Sequence, residues 1–344
     1  MIGIRSGLKP DVFSSSKGKE KLTMRKIAAM VAVLAGTVSC GPGDRARQTS
    51  ERERAEARLA RGRYLLEGLS DCFGCHSEID WKAPGAPALP GRKGVGAVVP
   101  DESIPFQVVA PNITPDAETG LGKWTDQEIG RALRNGIGHD GRVLFPLMPY
   151  MLYRDMSDED LAATIAYLRS LAAVRNATPK MLLPEPVQKS LQPPPPVASV
   201  PPPDQSTPQK RGAYLVALGT CAQCHTPIDN QMRPRADLAF GGGFVLKGPW
   251  GEVASANLTP DPSGIPYYTD ALFLQAMRTG HVQARKLNSI MPWGRYRNLT
   301  DEDITAIFAH LKTLKPVVHR VDNTEPPTPC KRCGSRHGLG SANL

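Results

Sequence analysis

Cys72-Phe73-Gly74-Cys75-His76 and Cys221-Ala222-Gln223-Cys224-His225 are two copies of one pattern, Cys-x-x-Cys-His, and the reading of the chain turns on them. Each copy sits in a longer matching context. Arg61-Gly62-Arg63-Tyr64-Leu65 leads into the first, and Arg211-Gly212-Ala213-Tyr214-Leu215 leads into the second. Downstream, Asn112-Ile113-Thr114-Pro115-Asp116 answers to Asn257-Leu258-Thr259-Pro260-Asp261, and Trp124-Thr125-Asp126 to Tyr268-Thr269-Asp270. Arg134-Asn135-Gly136 then matches Arg278-Thr279-Gly280, and Met148-Pro149-Tyr150 matches Met291-Pro292-Trp293. Met156 to Leu161 closes the series against Leu299 to Ile304. The spacing between partners shrinks by only a few residues from end to end, as small loop differences produce. The chain therefore holds a tandem repeat of one domain.

Between the copies, residues 175–208 carry eleven prolines from Pro179 to Pro208, including the runs 193–196 and 201–203. Such a stretch cannot donate backbone hydrogen bonds regularly and favours an extended polyproline form, so it reads as a semi-rigid linker. The expected organisation is an N-terminal extension and export signal over 1–40, a tether over 41–59, a first domain over 60–174, the linker over 175–208, a second domain over 209–317 and a tail over 318–344. Within each copy the clear elements are helices. Ser157 with Asp160 and Thr300 with Asp303 read as capping boxes, opening runs with apolar Leu161, Ile165, Leu168 and Ile304, Ile307, Leu311 at helical spacing. Helices also fit 126–135, 270–279 and the segments entering each Cys pair. Strand signal is confined to Phe240–Lys247. The fold class is mainly α, with two small, loop-rich helical domains.

Each part of Cys-x-x-Cys-His has a physical task. The motif is the attachment signature of c-type haem, in which two thiols anchor the macrocycle through its vinyl groups and the adjacent His reaches the iron. Cys72, Cys75, His76 and Cys221, Cys224, His225 are thus candidate ligands of two covalently bound haem c groups. Zinc would need further Cys or His within each repeat, and these are not evident. A large apolar cofactor also suits a composition of only 6% aromatic residues with 33 Pro and 32 Gly, because such a domain has little bulky side chain with which to fill its own core.

The sixth iron ligand must come from later in each repeat. Met148 and Met291 stand at equivalent positions, each before Pro and an aromatic, and this recurrence makes them candidate thioether ligands rather than core filler. Met151 is the local competitor. His139 and His281 do not fall at equivalent positions and read as surface residues. His paired with Met fills the open coordination position and raises the potential, which favours electron transfer over substrate chemistry. The alternative is a di-haem cytochrome c peroxidase, which needs one iron open to peroxide; a haem sensor or a docking tether forms a third class. The Asn-x-Thr-Pro-Asp segments read as tight turns, with Asn112 and Asn257 either structural or placed near a haem propionate.

The formal charge is +9, but seven Lys/Arg against two Asp/Glu lie in residues 1–40, a stretch expected to be removed. Haem propionates would offset much of the rest, and no basic stripe interleaved with aromatics exists, so nucleic acid is excluded as a partner. Met24-Arg25-Lys26, the apolar run Ile27–Val38 and Ser39-Cys40-Gly41 form an export signal too short to span a bilayer. Small residues before Cys40 resemble a bacterial lipoprotein signal, which makes Cys40 a candidate lipidation site. An ordinary signal peptide or an uncleaved anchor leaves the compartment unchanged: the periplasmic side of a bacterial membrane. In the tail, Cys330 and Cys333 with the later His337 do not make a third haem motif. A local disulfide is the expectation, since a metal site would lack an evident fourth ligand.

With these motifs in place, the chain resembles the cytochrome c family found as multi-haem subunits of membrane-associated bacterial dehydrogenases for alcohols, gluconate and related substrates. The closest match lies in the first copy, in Asn112–Asp116, Gly122–Asp126, Arg131–Arg134, Phe145–Tyr150 and Ser157–Asp160. The resemblance implies that Met148, and by equivalence Met291, are axial ligands. It further implies electron transfer without catalysis by the chain itself, a dehydrogenase donor, and an acceptor on the quinone or oxidase side. Those subunits often carry three haem motifs where this chain has two.

Overall fold

The computed structural model describes residues 42–229 and 231–344. The export signal and Cys40 lie outside these residues. Helix α1, Pro42–Tyr64, runs through the stretch read as a tether, so that stretch is helical. Residues 46–60 are exposed apart from the half-buried Ser50, while Gly62 is buried. Residues Thr49–Leu344 form one compact unit.

The first repeat continues from α1 into a π-helical turn, Leu65–Leu69, whose Leu65, Leu66 and Leu69 are buried. There follow α2 (Cys72–Cys75), a hairpin of β1 (Ala97–Val99) and β2 (Val108–Ala110), α3 (Asp126–Asn135), α4 (Tyr150–Tyr153) and α5 (Asp158–Ser170). A short helix α6, Glu185–Ser190, interrupts the Pro-rich linker, whose composition favours an extended polyproline form. Repeat two restates the pattern with α7 (Pro208–Leu218), α8 (Cys221–His225), the hairpin β3 (Val245–Gly248) and β4 (Gly251–Ala254), α9 (Asp270–Thr279), α10 (Trp293–Tyr296) and α11 (Asp301–Leu311). A small ladder of β5 (His281–Val282) and β6 (Arg285–Lys286) follows α9. A hairpin of β7 (Pro327–Pro329) and β8 (Arg336–Gly338) comes last among the strands and is followed by a 3-10 turn, Gly340–Ala342.

Repeated residues do repeated work. Gly62 and Gly212 let the entering helix of each repeat touch its closing helix: a Cβ on Gly62 would stand 1.9 Å from the Ala163 carbonyl oxygen, and one on Gly212 1.9 Å from that of Ala306. Arg134 reaches Asp158 at 2.6 Å and the Met156 carbonyl, and Arg278 reaches Asp301 and the Arg297 carbonyl, so each Arg fastens one helix to the start of the next. Tyr153 donates to the Ser70 carbonyl at 2.7 Å, and Tyr296 to that of Gly219 at 2.9 Å.

The repeats share one core, in which Leu65, Leu66, Leu69, Leu215, Val216 and Leu218 are all buried. Full burial of such side chains contributes about 1.5–3 kcal/mol each. Tyr64 enters the start of α11, where its hydroxyl accepts from Thr300 N at 3.0 Å and donates to Asp303. Tyr214 enters the start of α5, accepting from Ser157 N at 3.1 Å and donating to Asp160 at 2.7 Å. The capping residues Ser157 and Thr300 accept from Asp160 N and Asp303 N as expected. The return half of each box is not made by the aspartate directly: a tyrosine from the other repeat stands between. Arg61 completes the first pair with Asp160 at 2.8 Å, and Arg211 the second with Asp303 at 2.5 Å.

Candidate cofactor site

Asp71 and Thr220, the residues before each motif, adopt left-handed backbone (φ 45° and 52°) and launch the short helices that carry the Cys pairs. His76 and His225 then sit at equivalent points, 9% exposed each. The His76 carbonyl accepts from Gly96 N and that of His225 from Gly242 N, both at 2.9 Å. His76 Nδ1 lies 2.7 Å from the Pro111 carbonyl oxygen, and His225 Nδ1 2.7 Å from that of Ala256. Donation to these carbonyls puts the proton on Nδ1 and leaves the Nε2 lone pair for a metal. Burial pushes both imidazoles below their ordinary pKa, which keeps them neutral. Burial also pushes the Cys72 and Cys221 thiols up to about 12.

Met148 and Met291 occupy matching, half-buried places against the shared core. Met148 N donates to the Phe145 carbonyl at 3.0 Å and Met291 N to that of Asn288 at 3.1 Å, and each methionine carbonyl accepts from the aromatic two residues on. Met151 is 54% exposed. His139 stacks on Trp124 with centroids 4.5 Å apart, and His281 Nδ1 bonds the Thr279 carbonyl, so both remain local surface contacts.

Asn112 and Asn257 are structural. Each is almost fully buried, accepts from the Thr two residues on, and donates to the chain after the closing helix, Asn112 to the Val174 carbonyl and Asn257 to that of Val317, both at 2.8 Å. Neither amide is left for a propionate. Buried donors with no partner among the described residues include the indole N–H groups of Trp250 and Trp293 and Nη1 of Arg154, along with Ser70 Oγ, Arg134 Nε and Arg332 Nε. Two thiols and a buried, neutral imidazole per repeat are the donor set that a covalently held haem requires.

The two motifs face each other across the repeat boundary. Gln223, inside the second motif, donates to the Leu147 carbonyl, next to Met148, at 2.9 Å. Arg295 binds Asp71, directly before the first motif, and the Ala86 carbonyl at 3.0 Å. Trp81 and Trp250 meet with centroids 4.7 Å apart.

The tail departs from expectation. Cys330 and Cys333 are unbridged, and His319 and His337 join them, with all four ligating atoms within 4.8 Å of one another. The fourth ligand that sequence reasoning lacked is His319. Its partners lie beyond ten intervening residues, outside the short spacings by which such sites are recognised.

Residues 59–172 match the family model for Cytochrome c. The chain is 32% identical over 278 residues to the gluconate 2-dehydrogenase cytochrome c subunit of Pantoea cypripedii, a match covering 75% of this chain and 60% of that protein. It is 29% identical over 307 residues to the cytochrome c subunit of the quinone alcohol dehydrogenase of Gluconacetobacter polyoxogenes, covering 84% and 61%. A diheme cytochrome c-type protein of Cereibacter sphaeroides is 27% identical over 256 residues, covering 72% and 82%. The chain thus spans about three fifths of the length of the first two relatives.

Proposed function

Starting from a chain that carries a cytochrome c domain and is similar to the cytochrome c subunits of dehydrogenases, we propose a di-haem cytochrome that relays single electrons from a dehydrogenase towards the respiratory chain. The proposed setting is the periplasmic side of a bacterial membrane, with Cys40 as the lipid-bearing residue. Among the described residues no helix is long and apolar enough to cross a membrane. The observation that carries the reading is the duplicated Cys-x-x-Cys-His in which both histidines are buried, neutral and hydrogen-bonded through Nδ1.

Haem c, when bound, supplies an iron that cycles between two oxidation states by one electron. Cys72 and Cys75, and Cys221 and Cys224, would hold the two macrocycles. His76 with Met148, and His225 with Met291, would ligate the two irons, a donor set that favours electron transfer over substrate chemistry. The carbonyls of Pro111 and Ala256 hold the imidazoles in one orientation through their Nδ1 protons. Contact between the motifs, from Gln223 to the residue before Met148, supports direct exchange between the two centres.

Protein matured with covalent haem should give two haems per chain in a pyridine haemochrome assay and two far-red ferric bands of Met-ligated iron. Met148→Ala and Met291→Ala should each remove one band, lower one potential and open one iron to added ligands. An unchanged spectrum removes that Met from the assignment. For the donor, membranes of a deletion strain should lose substrate-dependent reduction of the respiratory chain when supplied with gluconate, an alcohol or fructose; retention with all three rules out those dehydrogenases.

A further inference from the structure

We propose that His319, Cys330, Cys333 and His337 form a zinc site that fastens the C-terminal segment to the second haem repeat. The four residues are 0%, 3%, 5% and 2% exposed. Cys330-Lys331-Arg332-Cys333 makes the turn between β7 and β8, closed by Cys330 N to the Ser335 carbonyl at 2.8 Å and Gly334 N to the Cys330 carbonyl at 2.9 Å. Such a turn aims both sulfurs to one side. His319 Nε2 lies 3.4 Å from Cys330 Sγ, and His337 Nε2 lies 3.3 Å from Cys333 Sγ. Ligands at zinc's ordinary bond lengths span tetrahedral edges of about 3.3–3.8 Å. Both histidines place Nδ1 against a backbone carbonyl, His319 on Gly241 at 2.8 Å and His337 on Gly338 at 3.0 Å, which presents both Nε2 atoms to the sulfurs. Two thiolates balance the charge of one divalent ion, so the filled site is neutral, as its burial beside Leu238 and Val317 requires.

Comparison of the repeats separates this site from ordinary packing. Asn176 is the counterpart of His319. Asn176 Nδ2 donates to the Val95 carbonyl at 2.8 Å, as His319 Nδ1 does to that of Gly241, and the backbone N of each donates at 2.9 Å, to Thr119 Oγ1 and Ser263 Oγ respectively. An amide therefore suffices to hold this strap in the first repeat. In the second a histidine stands there instead, and its extra nitrogen faces two thiols. Gly243, with φ 86°, makes room: a Cβ there would lie 2.4 Å from His319 Cε1. The strap also reaches the haem ligand's supports. Asn257, beside the Ala256 that holds His225, donates to the His319 carbonyl at 3.2 Å, and Gly241 precedes the Gly242 that binds the His225 carbonyl.

The test uses the full exported protein, purified without chelator and analysed for metals. About one zinc per chain is expected beside the haem iron, with a zinc-edge absorption spectrum fitting two sulfur and two nitrogen neighbours at about 2.3 and 2.0–2.1 Å. His319→Asn copies the first repeat's residue, so it should keep both haems and lose the zinc; Cys330→Ser with Cys333→Ser should do the same. Zinc-free protein whose Cys330 and Cys333 resist alkylation until reduced is a disulfide and overturns the site, as does zinc retained by His319→Asn. If the variants fail to fold, the metal count and edge spectrum of the unaltered protein decide alone, and neither depends on how the irons are ligated.

Discussion

Tyr64 and Tyr214 each spend a hydroxyl on the far repeat, bridging a backbone N–H and a buried aspartate that also pairs with an arginine of its own repeat. Burial pushes the Tyr214 hydroxyl up to about 12, so it stays a donor at all physiological pH. Tyr64→Phe and Tyr214→Phe remove the bridge and leave the N–H and part of the carboxylate unsatisfied, a loss of about 1–3 kcal/mol each. Urea unfolding should show both losses, with haem spectra unaltered, and the double variant should depart from additivity, because Arg61 pairs with Asp160 and also lies over the Tyr64 ring, 5.6 Å from its centroid. Sequence comparison found both tyrosines as repeated letters but could not say what they do. Their partners belong to the other copy, and a repeat aligned on itself carries no cross-terms. The Cys and His of the two Cys-x-x-Cys-His motifs could be proposed from sequence because the chemistry that the motif implies is local, set by adjacency within five residues. His319 was not, since its role needs the tail folded back on the body.

At the scale of elements, helices with local start signals came out as expected: α3 and α9 have the bounds that their Thr caps and Gly stops imply, and Thr125 with Glu128 makes both halves of a capping box that the sequence reading passed over. The expected strand from Phe240 shortens to Val245–Gly248, because Phe240, Gly242 and Gly243 take positive φ and cannot extend a ladder. The linker differs most from expectation, since Pro-rich composition says nothing of where a chain docks. It lies on the first repeat through Asn135 and Val197, Arg154 and Pro195, and Asp158 with Ser199 and Val200. The Ser199 hydroxyl, Val200 N and Arg134 hold the Asp158 carboxyl down to about 2, against about 3.9 when free. Because the folded value is depressed, this docking is fully present above about pH 4 and lost as the pH falls through about 2. Pepsin should begin to cut between residues 195 and 204 over that window, before the haem bands change. Asp158→Asn should expose the same segment to a neutral protease at about pH 7, and equal resistance in both proteins would show the contact to be idle.

Over the whole molecule, the expected boundaries describe the sequence better than they describe the packing. Two repeats are present, but they share a core, and the motif of one touches the methionine loop of the other. A chain built so should unfold in urea as one transition followed equally by both haem environments. Replacing Cys72 and Cys75 by Ala should halve the covalent haem and shift the midpoint of the remaining haem to lower urea; an unshifted midpoint would mean that the repeats stand independently.

The crossed tyrosines carry a consequence for assembly. Tyr64 to the start of α11 and Tyr214 to the start of α5 are the same contact made twice in opposite directions, the kind that two identical polypeptides form about a twofold axis. Separate chains joined that way come apart on dilution. With residues 175–208 joining the halves, the partner's effective concentration is set by the tether rather than by expression level. The two repeats thus stay assembled at any abundance, and because the halves need not be alike, each is free to carry features the other lacks, as the tail beside the second does.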